Sequence, residues 1–552
     1  MAKYLPVKRF YDFLKLEKKD ISLIFYYAIF SGIVALSLPL GIQSIVSLIQ
    51  GAQISTSWVV LVSLVTLGVI LTGVLQLMQL KVIETIQQRI FVRASFEFSN
   101  LFPKIRLELM QNTYLPEQAN RFFDTLTIQK GISKMLIDVP SSVLQILFAL
   151  ILLSFYHPFF ILFGVLLLFL LYSVFKFTLS RGIETSLQES KYKYKVAHWL
   201  QEVARRVISF KSSGNTDFAL QTNDKLVNSY LDARESHFKI LVIQFIQLLS
   251  FKVLVTSGLL VIGGVLVLKN EMNIGQFIAA EIIILLIINS VEKLILGLES
   301  FYDVLTAFEK VGQVNDIEIE KQEGHDSIKS KIESIELSDL KLFLPCNEVD
   351  LLKGIDLTIE RNKHIFIQGG KSSGKTNLLK ILAGVELPTT GRMLINGLSY
   401  KTFKPNDYRS RLGLVLEEEH PFDGSIKDNL TFGDASISDT KIQDVLQHVG
   451  LSEYIKTLAL GLNTPLSSDS QFISSSVSKR ILLARAILKN PDVLILENIS
   501  DAFSDHETEI IIDYLTNPTQ NWTLVVTDVN PLWKSAISTT YLLSGGYLNQ
   551  LK

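Results

Sequence analysis

The fold class that the sequence predicts is an α-helical membrane domain of six transmembrane helices followed by an α/β domain. Three observations predict it. Long apolar stretches crowd into the first half of a 552-residue chain that is 48% hydrophobic, with a mean hydropathy of +0.32. Past Lys331, short β-rich runs alternate with helical patterns, as they do in α/β domains. Inside that second part, Gly369–Thr376 reads GGKSSGKT between an apolar run and a helical pattern.

The apolar stretches run Ile21–Leu48, Trp58–Leu80, Val139–Tyr156, Phe159–Leu179, Val242–Leu268 and Ile274–Leu298. A membrane helix needs ~20 mostly apolar residues, and soluble core helices seldom match that with so little charge. The first stretch exceeds the ~7–15-residue core of a signal peptide. Its Pro39 and Gly41 lie where a membrane kink is tolerated. Because it starts near Ile21, no peptidase domain is expected ahead of it.

Basic residues set the expected orientation. Lys3, Lys8, Arg9, Lys15, Lys18 and Lys19 precede the first span and should stay cytoplasmic. The loops Gln50–Ser57, His157-Pro158 and Lys269–Asn273 are short, nearly uncharged and expected outside. The segments Lys81–Asp138 and Ser180–Leu241 are long, rich in Lys and Arg, and expected inside. An even number of crossings returns the second domain to the cytoplasm.

Within the spans, Glu281 should sit about 12 Å deep at ~1.5 Å per residue. An acid there lines a pathway or faces a water-filled vestibule. Lys252 is expected to snorkel to the cytoplasmic face. Gln244 and Gln247 are read as hydrogen bonders between helices. His157-Pro158 reads as a tight turn and His364 as a structural histidine.

The chain divides into a membrane domain over 1–316, a linker over 317–331 and an α/β domain over 332–552. The stretch Asp316–Lys331 is charged and weakly periodic, as a linker is. Expected strands are Ile332–Leu337, Ile355–Ile359, His364–Gln368, Leu412–Leu416, Val493–Leu496 and Thr523–Val526.

The glycine-rich loop satisfies every fixed position of G-x-x-x-x-G-K-[ST]. Gly369, Gly370, Lys371, Ser372, Ser373 and Gly374 let successive backbone N–H groups turn toward phosphate oxygens. The following helix, from Lys375 through Asn377, adds its N-terminal partial charge. Lys375 would reach the outer phosphates and the Thr376 hydroxyl would ligate Mg²⁺. ATP and Mg²⁺ are the expected cofactors. A glycine–serine turn with a chance Lys-Thr is the bland alternative, and the full match with both flanks argues against it. A net charge of −1 leaves no broad basic footprint for nucleic acid. With Cys346 as the sole cysteine, no intramolecular disulfide or cysteine-based zinc site is possible.

Further motifs follow the loop: Pro388-Thr389-Thr390-Gly391, Ile395-Asn396-Gly397, Gly424-Ser425-Ile426-Lys427-Asp428-Asn429-Leu430, Ile481–Ala486 and Pro491–Leu496. With the six-span layout they resemble a half of an exporter-type ABC transporter. The membrane half, through Lys134–Pro158 and Gln201–Lys211, is similar to type I secretion and bacteriocin exporters. The resemblance implies a bacterial inner-membrane location, a second half-transporter as partner, membrane lipid around the spans and a transported substrate that the sequence does not identify. It also implies that Leu115–Phe123 and Ile208–Phe218 are tips that dock on nucleotide domains.

Measured against that family the chain departs repeatedly. The Walker B position holds Glu497, which can still serve Mg²⁺ through water. The general-base position holds Asn498, an amide that orients water but accepts no proton. The Q-loop position holds Glu417. The signature reads Ile473-Ser474-Ser475-Ser476-Val477, keeping Ser474 but lacking two glycines. The H-loop histidine falls at Asp528, the D-loop aspartate at Ser504 or one residue on at Asp505, and the adenine-stacking aromatic at Leu344 beside Phe343. Losing a base costs ~10²–10⁴-fold in rate. The expectation is therefore Mg·ATP binding with poor hydrolysis by this chain alone. Two functions follow: the ATP-binding subunit of an exporter working as a dimer, or a non-hydrolysing membrane regulator or assembly factor on the same scaffold.

Overall fold

The computed structural model describes residues 5–50, 56–110, 114–215, 217–322, 324–328, 330–344, 349–466 and 473–551. The chain forms two compact units, Met1–Lys104 with Tyr114–Ile317, and Ile105–Thr113 with Glu318–Lys552.

The first unit is helical. A short α1 (Leu5–Leu16) leads into α2 (Lys18–Ala35) and α3 (Ser37–Gln50), which together form the first apolar span. The second span is α4 (Thr56–Leu101). The connection beyond it passes through α5 (Leu107–Met110), which clusters with the second unit, and α6 (Leu115–Asn120). The third and fourth spans are α7 (Asp124–Ser154) and α8 (Phe159–Arg205). A turn of α9 (Val207–Ser212) joins α8 to α10 (Asp217–Gly258). The fifth span continues through a π-turn at Leu259–Gly263 into α11 (Gly264–Leu268), and the sixth is α12 (Ile274–Asn315). All six are long and apolar enough to cross a membrane. This is a multi-pass membrane protein.

The helices outrun the apolar stretches because polar residues of high helix propensity continue the pattern past the bilayer; the Lys, Glu and Gln of 184–205 extend α8. Helix α12 starts with a capping box between Asn273 and Gln276 and is the most buried of the six. At Gly182 a Cβ would fall 2.2 Å from the Tyr302 ring, so glycine lets α8 meet α12. The Tyr302 hydroxyl then accepts from Gln244 Nε2 at 2.8 Å, and the same amide reaches Thr178 Oγ1 at 2.8 Å. Gln244 is thus the interhelical bonder expected, whereas the Oε1 of Gln247 is buried with no partner. Lys252 does not snorkel alone: it pairs with Glu292 of α12 at 2.8 Å. Glu281 is exposed on α12.

The second unit is α/β. An antiparallel sheet comprises β1 (Ser334–Leu344), β2 (Val349–Glu360), and two later strands. Next come β3 (Ile365–Gly369) and α13 (Lys375–Leu382), then those two strands, β4 (Thr390–Ile395) and β5 (Leu398–Ser399). They are followed by α14 (Pro405–Ser410), β6 (Leu412–Val415), β7 (Gly424–Ser425) and α15 (Ile426–Thr431). Helices α16 (Asp439–His448) and α17 (Ser452–Thr457) precede β8 (Pro465–Leu466) and α18 (Ser475–Leu488). The chain closes with β9 (Val493–Glu497), α19 (Asp505–Leu515), β10 (Thr523–Thr527), α20 (Leu532–Ala536), β11 (Thr539–Ser544) and β12 (Tyr547–Gln550).

The main sheet has the order β12-β11-β3-β10-β9-β6, parallel except for β12. Strands β9 and β10 are buried along their whole length, as their continuous apolar runs require. Part of the expected linker is tied down: the Glu320 carboxylate receives the Arg409 guanidinium at 2.7 Å, and the Asp326 backbone forms a β-bridge with Phe403.

Candidate nucleotide site

Parallel strands bring their C-terminal ends to one edge of a sheet, where ligands bind in open α/β domains. Here β3 ends in the glycine-rich loop, β9 ends in Glu497, and β10 ends beside Asp528. Residues far apart in sequence therefore share one edge.

The loop has the backbone its sequence calls for. Gly374 sits at φ 97° and Ser372 at φ 59°. A Cβ at Gly369 would meet the Leu543 carbonyl oxygen at 2.6 Å, so that position tolerates no side chain. Beyond Gly374, α13 exposes its first N–H groups toward the loop. The Lys375 ammonium lies across the loop and donates to the Gly369 and Gly370 carbonyls, each at 2.8 Å. Burial lowers its pKa, against the pull of Glu497 and Glu417. Ser373 Oγ is buried with no partner, a polar group that an anion in the loop could satisfy. Asn377 is turned away, donating to Glu386 at 3.0 Å. Lys371 is exposed.

Glu497 is 1% exposed, yet both carboxylate oxygens are used. One accepts from the Thr376 hydroxyl and the other from the Glu417 N–H at 3.1 Å. Two oxygen donors of the type that hard cations take are therefore in contact. Among the described residues no group of three or more His, Cys, Asp or Glu could hold a metal by itself. A cation here would need oxygens from its own ligand, and Mg²⁺ carried on a nucleotide brings them.

Asn498 adopts φ 43°, an uncommon conformation in which asparagine is tolerated better than most residues. Its N–H donates to the Thr527 carbonyl at 2.8 Å, which ties the end of β9 to β10. Its side-chain amide donates to the Glu417 carboxylate, while its Oδ1 is buried without a partner. The Glu417 carbonyl accepts from Lys479 at 2.8 Å, so an anion at this position has an ammonium close by. Burial lowers the Lys479 pKa, and Glu417 and Glu497 oppose that shift.

Asp528 carries out a different task. Its carboxylate accepts from the N–H groups of Ser500 at 3.0 Å and Asn530 at 2.9 Å. Burial raises its pKa despite those bonds. The Trp533 indole, fully buried, donates to Ser500 Oγ at 2.8 Å and completes this lock. No sequence pattern marked Ser500 or Trp533.

Ser474 caps α18, its hydroxyl accepting from Val477 N at 3.3 Å. Ser475 and Ser476 form the first helical turn. Ser504 caps α19 in a capping box with Glu507. Phe343 is exposed at the end of β1, whereas Leu344 packs on the core. His364 Nδ1 accepts from Leu524 N at 3.1 Å, the structural role expected of it.

Comparison with known proteins agrees with this geometry. Residues 352–500 match the ABC transporter family. The chain is 28% identical over 333 residues to the alpha-hemolysin translocation ATP-binding protein HlyB of Escherichia coli O157:H7, covering 59% of this chain and 46% of that protein. It is 28% identical over 294 residues to the exotoxin translocation ATP-binding protein PaxB of Pasteurella aerogenes, covering 52% and 40%. The matched region thus spans less than half the length of these relatives. A bacterial Atm1-family ABC exporter with ATP bound has the same fold, with a TM-score of 0.83 at 14% identity over 97% of this chain and 95% of that one.

Proposed function

We propose that this chain, which has the fused membrane and nucleotide-binding build of an ABC transporter half, is an ATP-binding exporter subunit that hydrolyses poorly by itself. One observation carries the reading. The Thr376 hydroxyl and the Glu497 carboxylate are in contact beside an intact phosphate loop, while the next residue, Asn498, cannot accept a proton. Binding chemistry is retained and base chemistry is not.

In this reading Gly369–Gly374 and Lys375 surround the phosphates, Asn377 stays bonded to Glu386 away from them, and Thr376 with Glu497 serves Mg²⁺. The cation would neutralise phosphate charge. Lys375 exchanges its loop carbonyls for the outer phosphates. Asn498 holds a water without deprotonating it, and Asp528, spent on Ser500 and Asn530, offers no γ-phosphate donor. Ser474, on the same chain, faces the phosphates of a partner's site.

The partner is a second half-transporter. Ile208 and Phe218, at the tip between α8 and α10, are 66% and 56% exposed, which suits docking on a partner's nucleotide domain. The toxin-translocating relatives favour a polypeptide as cargo, and a lipid-like cargo also suits six spans. The basic residues that flank the spans support a nucleotide domain on the cytoplasmic side, and the toxin-translocating bacterial relatives favour a bacterial inner membrane.

The second reading, a non-hydrolysing regulator, draws on the hydrogen bond between Asn498 and Glu417. ATP binding alone shifts an equilibrium if it favours the closed form. Reconstitution with a hydrolysis-competent half separates the two. The exporter reading expects Lys375→Ala in this chain to lower the turnover of the pair. Turnover indifferent to Lys375→Ala would favour the regulator.

A further inference from the structure

Past the apolar stretches of the first unit, the turn before α7 meets α6, α8, α10 and α12 around a pocket of about 350 Å³. Four cationic residues line it: Arg121 from the turn, Lys191 and Lys195 from α8, and Lys310 from α12. Lys191, Lys195 and His198 recur at helical spacing, so one face of α8 supplies them. Among the described residues Glu117 of α6 is the one acid on the wall, 3.4 Å from the His198 ring.

Contacts across the pocket put these side chains at one level. The Lys310 ammonium lies over the Tyr194 ring, 5.2 Å from its centroid. The Tyr194 hydroxyl donates to Asp124 at the start of α7. Arg121 Nη1 donates to Gln313 at 3.0 Å, one turn along α12 from Lys310, and the charges of Arg121 and Lys310 repel. Such crowding of like charges is costly unless an anion relieves it. Arg121 Nε is buried without a partner. Lys191 and Lys310 make no ion pair or side-chain hydrogen bond among the described residues. Four cations thus face two carboxylates, Glu117 and Asp124, and two positive charges are left over.

Depth decides what kind of anion reaches them. Lys191 lies about 12 residues beyond Leu179, and Lys310 about 12 beyond Leu298, where their apolar stretches end. At ~1.5 Å per residue both stand about 18 Å past the hydrocarbon, whereas a headgroup layer reaches only ~5–7 Å. Asp124, about 15 residues before Val139, agrees from α7. The pocket therefore opens to free solutes and not to lipid headgroups.

We propose that it binds a small soluble anion carrying two or more phosphate groups, of pyrophosphate size upward, held by Arg121, Lys191 and Lys310. A monovalent ion would leave a cation unmatched. Guanidinium forks and ammonium groups are the usual partners of phosphate oxygens. The volume suits a compact ligand. The inference uses neither the nucleotide reading nor the side of the membrane on which the pocket lies.

The test uses the full chain in phosphatidylcholine nanodiscs, with Lys375→Ala in every sample to silence the glycine-rich loop, and labelled pyrophosphate in equilibrium dialysis at 0.15 M salt, where weak surface attraction is screened. One saturable site per chain is expected. Arg121→Gln/Lys310→Met should weaken it at least tenfold. Leu226→Glu, which keeps every cation and adds an acid to the α10 wall, should do the same. Lys239→Met/Lys401→Met removes as much charge from exposed positions elsewhere and should leave affinity within twofold. Melting curves check that each variant is folded. Absence of saturable binding, or binding indifferent to both pocket variants, overturns the proposal. It is also overturned if hexaglutamate binds as tightly, since the occupant is then an acidic chain, or if phosphatidylglycerol nanodiscs abolish binding, since a headgroup then reaches the site. Separation of paired copies by Leu226→Glu would overturn it as well, making the pocket part of an interface.

Discussion

The side-chain amide of Asn498 donates to the carboxylate of Glu417, joining the residue after β9 to the residue two beyond β6. In the proposed function both stand where the active ABC pattern has other residues, and the amide of one bonds the carboxylate of the other. The substitutions form a local set, since an amide at one position suits an anion at the other. Restoring one member should therefore not restore the chemistry.

Asn498→Glu is expected to leave turnover at background. It places a third carboxylate beside Glu417 and Glu497, and like charges raise one another's pKa. Asp528 still provides no histidine. Steady-state phosphate release measures this, and a rise of about 10³-fold would mean that the missing base was the only defect.

Thr376→Ala should weaken Mg·ATP binding by about tenfold or more, roughly 1.4 kcal/mol, while ATP in excess chelator binds as it does to the unaltered chain. Equilibrium titration with and without Mg²⁺ reads the difference. An equal loss in both conditions would remove Thr376 from the metal site.

Lys252 and Glu292 pair within the spans at 2.8 Å. Breaking such a pair strands one charge, whereas removing both does not. Lys252→Met should lower the melting temperature in detergent more than Lys252→Met/Glu292→Gln does. A double variant worse than the single one contradicts a coupled pair.

His364 has its pKa lowered by burial. The folded state then binds fewer protons than the unfolded state, so stability is lost as pH falls through 6.5 toward the folded value. Denaturant melts at pH 7.5 and 5.5 should show a smaller acid-side loss in His364→Gln than in the unaltered chain. Identical losses would remove His364 from the pH response.

Much of the fold was legible because its signals are local. Six apolar runs reported six spans, and the phosphate loop announced β3 and α13 by composition alone. The ends of the helices were less legible, since α8 continues through charged residues once outside the apolar stretch. Strands β11 and β12 carry no strong alternation and gain their place from pairing with β3 and each other. The connection near Ile105 was also obscure: Glu108 accepts from Leu387 N at 3.1 Å, ahead of the tip expected at Leu115–Phe123. At the site, the identities of Asn498 and Asp528 could be read, but not what Asp528 does. Its bonds go to backbone N–H groups of Ser500 and Asn530, which no side-chain pattern reveals.

The proposed function requires this chain to bind Mg·ATP without turning it over at a transporter's rate. The most direct measurement is binding and turnover on one preparation of the purified chain in nanodiscs, with Lys375→Ala as control. Saturable Mg·ATP binding that Lys375→Ala abolishes is expected, with phosphate release no faster than in that variant. Turnover at ordinary transporter rates, ~1 s⁻¹ or more and lost in Lys375→Ala, would contradict it.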